Sequence, residues 1–440
     1  MPMGSNHESR RHLHREIGLL DLVFLSFGGQ SPFLSILSYG VLVFTSVGAI
    51  APLAIMLGTL MVLINGLVVY RLSTRFTQTG GYYTYAYYSL TKRLGFETGW
   101  LYTIYAVLYG AAYVIAASSI LVEVVGLPPL AVLTAIFAAS SIFLILGIKP
   151  TARYAMVASV VEAAAMAAVA LLFLSSTGWR LYNPLSAPVA PSSLAAAAIL
   201  GAGIPTGYGS IAPVSGEVRN PRRNVPLAVI TVILMGGGLA ALDVYAIADH
   251  FIYLGGAGGS ILNLIALRFG LLTLSFVLFA AINDGVLSAL AFMMAASRTL
   301  YAMSFHGLIP RKLSEVKGRS GPLYASLATI ALYALTLYSS CLALGLAAAF
   351  ATLALISMLA NSVVHVSANF SLLRISLKRA SKRRLELLLS AAATALTIYL
   401  LLQSLGGIPL SVVTGFMALL VLGFLAAEAR EMVAGEEEEE

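Results

Sequence analysis

The chain has 440 residues, 59% of them hydrophobic and only 10% charged, against about 25% charged in an ordinary soluble domain. That much apolar surface excludes a soluble fold and asks for hydrocarbon as the solvent, where a crossing helix needs about 20 apolar residues. The formal net charge of +7 reads as topology and contact with anionic lipid, not as nucleic-acid binding, and the single cysteine, Cys341, excludes a disulfide framework and a cysteine-based metal cluster.

The N-terminal segment 1–16 carries Arg10, Arg11 and Arg15. It precedes an apolar stretch longer than a signal-peptide core, with no clear small-residue cleavage pattern, and is predicted to be retained on the cytoplasmic side. Hydropathy and Gly/Pro punctuation then predict about twelve transmembrane helices, near 17–48, 50–72, 97–125, 130–147, 152–176, 194–214, 226–248, 271–303, 322–342, 345–372, 385–403 and 409–428. With the first helix starting in the cytoplasm, only Arg180 and Arg268 fall in outside loops. Arg71, Arg75, Lys92, Arg93, Arg219, Arg222, Arg223 and the cations from Arg374 to Arg384 all fall inside. This bias predicts a multi-pass protein of the cytoplasmic membrane with both termini cytoplasmic. The segment 429–440, ending in Glu436 to Glu440, reads as a solvated acidic cytoplasmic tail.

Two predicted helices look broken. The first contains Gly28-Gly29-Gln30-Ser31-Pro32, and the sixth contains Gly201, Gly203, Pro205, Gly207 and Gly209. Proline removes a donor and clashes with the preceding turn, and each glycine weakens a helix interior by about 1 kcal/mol relative to alanine. Unwound backbone at mid-membrane must be satisfied by protein or by a polar cavity. The first and sixth helices hold matching places in two five-helix units, 17–177 and 194–372. The pattern therefore predicts a five-plus-five inverted repeat with the substrate at the repeat interface, followed by two additional helices over 385–428. Close packing of small residues is the simpler alternative.

The stretch Tyr70-Arg71-Leu72-Ser73-Thr74-Arg75-Phe76-Thr77-Gln78-Thr79-Gly80-Gly81-Tyr82-Tyr83-Thr84-Tyr85, with Gly95-Phe96-Glu97-Thr98-Gly99-Trp100 after it, resembles the APC (amino acid, polyamine and organocation) transporter family. A second block, from Gly207-Tyr208 through Gly216-Glu217-Val218-Arg219-Asn220-Pro221, is similar to the family's sixth helix and its exit, and Ser297-Arg298 through Pro310 to the end of its eighth. The resemblance implies an amino acid permease working by alternating access around a central site, with Tyr208 as an aromatic gate. The chain also departs from the pattern. Gln30, Ser31 and Pro32 stand where relatives have a Gly-small-Gly element, Gly216 replaces the first member of an acidic pair, and Glu162 falls where many relatives have a lysine.

Half-helix ends and uncapped backbone groups suit a zwitterion. The backbone of Gly28, Gly29, Gln30 and Ser31 is expected to face a carboxylate, and carbonyls of Ile204, Pro205, Thr206 and Gly207, beside Tyr208, to face an ammonium. Tyr102, Tyr105, Tyr109 and Tyr113 recur on one helical face and are candidates to line the cavity or to pack. Ionisable residues at membrane depth are costly and point to function, which singles out Glu162 and Asp284, with Ser288 beside them, for ion coupling. A carboxylate there can stay neutral, bind a proton in each cycle, or give an oxygen to sodium; a static hydrogen bond is the alternative. Proton is the first reading of the coupling ion and sodium the second, with no other cofactor. Asn361, His365 and Asn369 share a helical face and read as a cytoplasmic gate or as interhelical hydrogen bonds. Asp243 and Glu123 are expected near outer helix ends, in contact with water.

These features predict a secondary active transporter and not an enzyme: no His-Glu-x-x-His, Gly-x-Ser-x-Gly or paired catalytic aspartates occur. The substrate is expected to be a small molecule, an amino acid first, with a polyamine or cationic amino acid carrier or exchanger as the runner-up. A transport-like receptor or a channel is the alternative from another class. Nucleic acid is not expected as a partner, and the sequence points to no protein partner.

Overall fold

The computed structural model describes residues 13–186, 188–255, 261–316 and 321–439. The readings of Arg10, Arg11 and the Glu436 to Glu440 side chains lie outside the described residues. Apart from one isolated parallel bridge between Ile17 and Val218, the regular structure described is helical. In chain order it comprises α1 (Leu19–Gly29), α2 (Pro32–Ser35), α3 (Val41–Val47), α4 (Ala51–Ser73), α5 (Tyr82–Ser89), α6 (Lys92–Val125), α7 (Pro129–Leu146), α8 (Ile148–Ser176), α9 (Pro191–Gly201), α10 (Pro221–Leu254), α11 (Ile261–Phe305), α12 (Leu323–Leu377), α13 (Arg384–Leu405) and α14 (Leu410–Glu439). Two 3-10 segments, Ile204–Ser210 and Ala212–Glu217, follow α9.

Ten helical stretches among the described residues are long and apolar enough to cross a membrane. Two of them, Leu19–Ser73 and Leu323–Leu377, hold 55 residues each. A straight helix of that length would run roughly 80 Å, far beyond the hydrocarbon thickness. Each is turned by a glycine in a backbone conformation closed to side chains, Gly48 at φ 60° and Gly345 at φ 75°. The paired boundaries read from the sequence fall at these two glycines. A third glycine, Gly270 at φ 82°, kinks α11 just before residue 271, where the eighth helix was expected to start.

The centre of the bundle is α6, packed against α11 and α12, while α4 lies along α10 and α1 against α8 and α10. α13 and α14 sit outside, on α12 and α6. Their exposed residues include Leu385, Leu388, Leu402, Leu410, Leu422 and Leu425, a face that lipid covers at no cost. The basic residues Arg71, Arg75, Lys92, Arg93 and Arg374 to Arg384 lie at helix ends on one end of the bundle. Arg75 pairs there with Glu386, and Arg93 with Glu428 and Glu431.

Candidate substrate and ion site

The first helix is interrupted where Gly29, Ser31 and Pro32 meet. Proline disfavours the helical region for the residue before it, and Ser31 sits in the left-handed region at φ 46°, with Pro32 starting α2. The new half-helix therefore opens at mid-membrane with free N–H groups. Two carboxylates from elsewhere in the chain meet them. Asp284 of α11 accepts the Leu34 N–H at 2.7 Å, and the Phe33 N–H faces both Asp284 and Glu162 of α8. The Ser31 hydroxyl donates to the Asp284 backbone carbonyl at 3.1 Å, and the Ser288 hydroxyl to the Gly29 carbonyl at 3.5 Å. Asn283 donates to Glu162 Oε2 at 3.4 Å and is itself held by the Tyr154 hydroxyl at 2.9 Å.

Glu162 and Asp284 are buried, and their carboxyls lie close enough to interact with each other. Yet Glu162 Oε1 and Asp284 Oδ1 meet no donor among the described groups. Two carboxylates in contact cannot both carry charge in an apolar interior. The arrangement therefore needs a proton or a cation between them. Ser288 bonds the break itself, so all three residues read as ion-coupling from the sequence gather on α1, α2, α8 and α11.

The backbone of Gly28 to Ser31 is placed differently. The Gln30 N–H is taken by the Ser26 and Phe27 carbonyls, and the Ser31 N–H by Gly28 at 3.0 Å. The Gln30 side chain runs to the Val232 carbonyl on α10 at 3.2 Å. Gly28, Gly29, Gln30 and Ser31 are all buried, and none of the four lines the cavity beside the sixth-helix break.

The sixth helix breaks between Gly201 and Ser210, with Pro205 at φ −85°, ψ 31°. Here too part of the expected ligand set is engaged within the protein: the Gly207 carbonyl accepts the hydroxyls of Ser26 at 3.3 Å and Ser210 at 3.0 Å. Gly207 rests on the backbone of Gln30, and a Cβ at this position would fall on Gln30 N and Cα. The two breaks thus touch. On its other side the sixth-helix break faces a cavity of about 530 Å³, lined by Gly203, Thr206 and Tyr208 of the break, Tyr105, Tyr109 and Tyr113 of α6, and Tyr39, Asn65, Asn361 and His365. Ile204, Pro205 and Gly207 do not line it. Tyr39 lies in a π-turn, Ile36–Gly40, inserted between α2 and α3. The Tyr208 hydroxyl and His365 Nε2 are 3.2 Å apart, joining the break to α12. Tyr102 packs below, donating to the Gly209 carbonyl at 2.9 Å.

The residues on the shared face of α12 divide their roles. Asn361 and His365 line the cavity, and Asn369 donates to Asn65 at 3.1 Å. Glu123 is exposed as expected, but Asp243 is not in water. It is 5% exposed, on the inward face of α10, and neither carboxylate oxygen has a partner among the described groups. Its sequence position is near the end of a predicted span that the fold extends to Leu254, which puts it deeper.

The cavity reaches Gly407 and Ile408, at the far end of α13 from the basic residues; toward the basic end, described residues from separate elements hold one another. Arg298, fully buried on α11, donates through Nε and Nη2 to both carboxylate oxygens of Glu217, at 2.7 and 2.9 Å. The Glu16 N–H donates to the Glu217 carbonyl at 2.9 Å, and the Arg219 N–H to the Ile17 carbonyl at 2.8 Å. The Gly80 N–H donates to the Pro213 carbonyl at 3.0 Å, and a side chain at Gly216 would collide with the Thr79 hydroxyl. The absent acid at 216 follows from that contact. Sequence reading missed the Glu217–Arg298 pair, although both residues stand inside the quoted blocks. It also missed α5, which is too short and too tyrosine-rich for a hydropathy signal.

A model of the amino acid permease family matches residues 21–424. A search of curated proteins finds no match. The match runs from α1 through the first half of α14 and takes in both helix breaks, the paired carboxylates and the Glu217–Arg298 pair. The chain belongs to the amino acid permease family of the APC superfamily, whose members are membrane transporters.

Proposed function

We propose that this protein is a secondary active transporter that moves amino acids across the cytoplasmic membrane by alternating access, coupled to protons carried on Glu162 and Asp284. The observation that carries the reading is the meeting of these two carboxyls at the N-terminus of α2, each with an oxygen lacking a donor. A proton on the pair supplies that donor and removes the repulsion. Its loss puts two like charges in contact beside backbone N–H groups that only α11 and α8 satisfy. Proton occupancy then sets how firmly those helices hold the second half of the broken first helix, and a ligand moves a conformational equilibrium only through such a difference between states.

The turns at Gly48 and Gly345 support twelve crossings: two five-helix repeats over 17–177 and 194–372, and two further helices over 385–428. The basic loops support cytoplasmic termini. On that orientation the cavity belongs to the outer half, and the Glu217–Arg298 pair closes the cytoplasmic side, an outward-facing arrangement. The test is uptake of labelled amino acids into proteoliposomes under an imposed pH gradient or an imposed sodium gradient. Accumulation that follows the pH gradient is expected. Accumulation with sodium alone would replace the proton, equilibration without accumulation would make the protein a channel, and no uptake would favour a receptor.

A further inference from the structure

The cavity beside the sixth-helix break has no carboxylate, lysine or arginine among the described residues that line it; apart from tyrosines, His365 is the one titratable side chain in that lining. Its deep wall is aromatic. Tyr105 and Tyr109 meet edge to face at 5.6 Å, and Tyr109 and Tyr113 lie 4.8 Å apart. His365 lies 5.7 Å from the Tyr208 ring and 5.3 Å edge-on to Tyr82. The rest of the lining mixes aliphatic side chains, Ile199, Leu200, Met358 and Leu400 among them, with the uncharged polar groups of Asn361, Thr397, Gln403 and Ser404. Three of the lining side chains carry a buried polar atom without a hydrogen-bond partner among the described groups, Tyr105 Oη, Tyr109 Oη and His365 Nδ1. The buried carboxyls of Glu162 and Asp284 are committed to the first-helix break and do not line the cavity.

Resting on the transport reading above, we infer that the substrate is a neutral amino acid with a large apolar side chain, aromatic in preference to aliphatic. A lysine-like or polyamine substrate would have to desolvate a cation with no counter-charge in the wall, and a dicarboxylic one would lack a guanidinium or ammonium. An aromatic ring gains edge and face contacts with the tyrosine wall, and about 530 Å³ holds such a side chain with its backbone groups. Tyr105 Oη and His365 Nδ1 are the specificity-determining polar atoms, placed for the amino acid's own polar groups.

Proteoliposomes loaded with unlabelled phenylalanine and offered labelled phenylalanine, leucine, lysine or glutamate give the test. Phenylalanine should exchange fastest, leucine more slowly, and lysine and glutamate at least about tenfold below phenylalanine. Lysine or glutamate exchange equal to that of phenylalanine would overturn the substrate class while leaving amino acid transport standing, whereas no exchange of any amino acid would instead sink the transport reading. As a second arm, Asn361→Asp puts a carboxylate in the cavity wall and should raise lysine exchange above wild type. A variant that still exchanges phenylalanine and gains nothing for lysine would place the side-chain end of the substrate elsewhere and overturn the inference.

Discussion

Arg298 and Glu217 illustrate how much a single buried pair commits the molecule to one state. Each is expensive to desolvate, and the bidentate geometry returns that cost only while both partners are present. Removing one alone leaves a buried charge. Arg298→Met is expected to destabilise the protein by about 3–5 kcal/mol, read as a large fall in melting temperature, while the Glu217→Leu/Arg298→Met double variant recovers most of the loss. A double variant as unstable as the single one would remove the pair from the closed end. Gly207 is the second such residue. Even Gly207→Ala should part the two helix breaks, because its methyl group falls on the Gln30 backbone. Loss of substrate exchange in a variant that still purifies as a folded protein is the expected result. At this scale the sequence disclosed candidates but not partners. Glu162 and Asp284 stand out as charges at depth, yet nothing local says that they meet. Likewise the N–H groups of Gln30 and Ser31 look free in a broken helix until the 3-10 turn that absorbs them is seen.

Helix breaks and turns were legible because glycine and proline act on the backbone directly. Ser31-Pro32 and Pro205 break two helices, and Gly48 and Gly345 turn the stretches Leu19–Ser73 and Leu323–Leu377, all within a few residues of the positions read from hydropathy. The short element α5 was not legible, since it is held by tertiary contacts. Its Tyr83 hydroxyl lies 2.7 Å from His306 Nδ1, its Tyr88 hydroxyl 3.1 Å from Nε2, and Tyr87 stacks on the imidazole at 4.4 Å. Burial lowers the His306 pKa from its ordinary 6.5. Below that value the unfolded chain binds the proton more readily than the folded one, so this contribution is present in full above pH 6.5 and is lost as pH falls. Wild-type melting temperature should drop between pH 7.5 and 5.5 by more than that of His306→Gln. Equal drops would mean that α5 docks independently of the histidine's charge.

For the molecule as a whole, orientation follows from which end carries the cations. With Cys341 replaced by serine, single cysteines at Arg180 and Ala380 should react with a membrane-impermeant thiol reagent from opposite sides, the first from outside the cell. Labelling of both from one side would remove an odd number of crossings between them. The five-plus-five reading, the outward-facing cavity and the closed inner end all depend on that orientation.

If a proton on Glu162 and Asp284 drives transport, Glu162→Gln should remove the coupling alone, since the amide keeps the size and polarity of a protonated carboxyl while giving up the proton exchange. In proteoliposomes under an imposed pH gradient this variant should still exchange substrate but no longer accumulate it. Accumulation with unchanged pH dependence would contradict the account and leave Glu162 as a structural hydrogen-bonding residue.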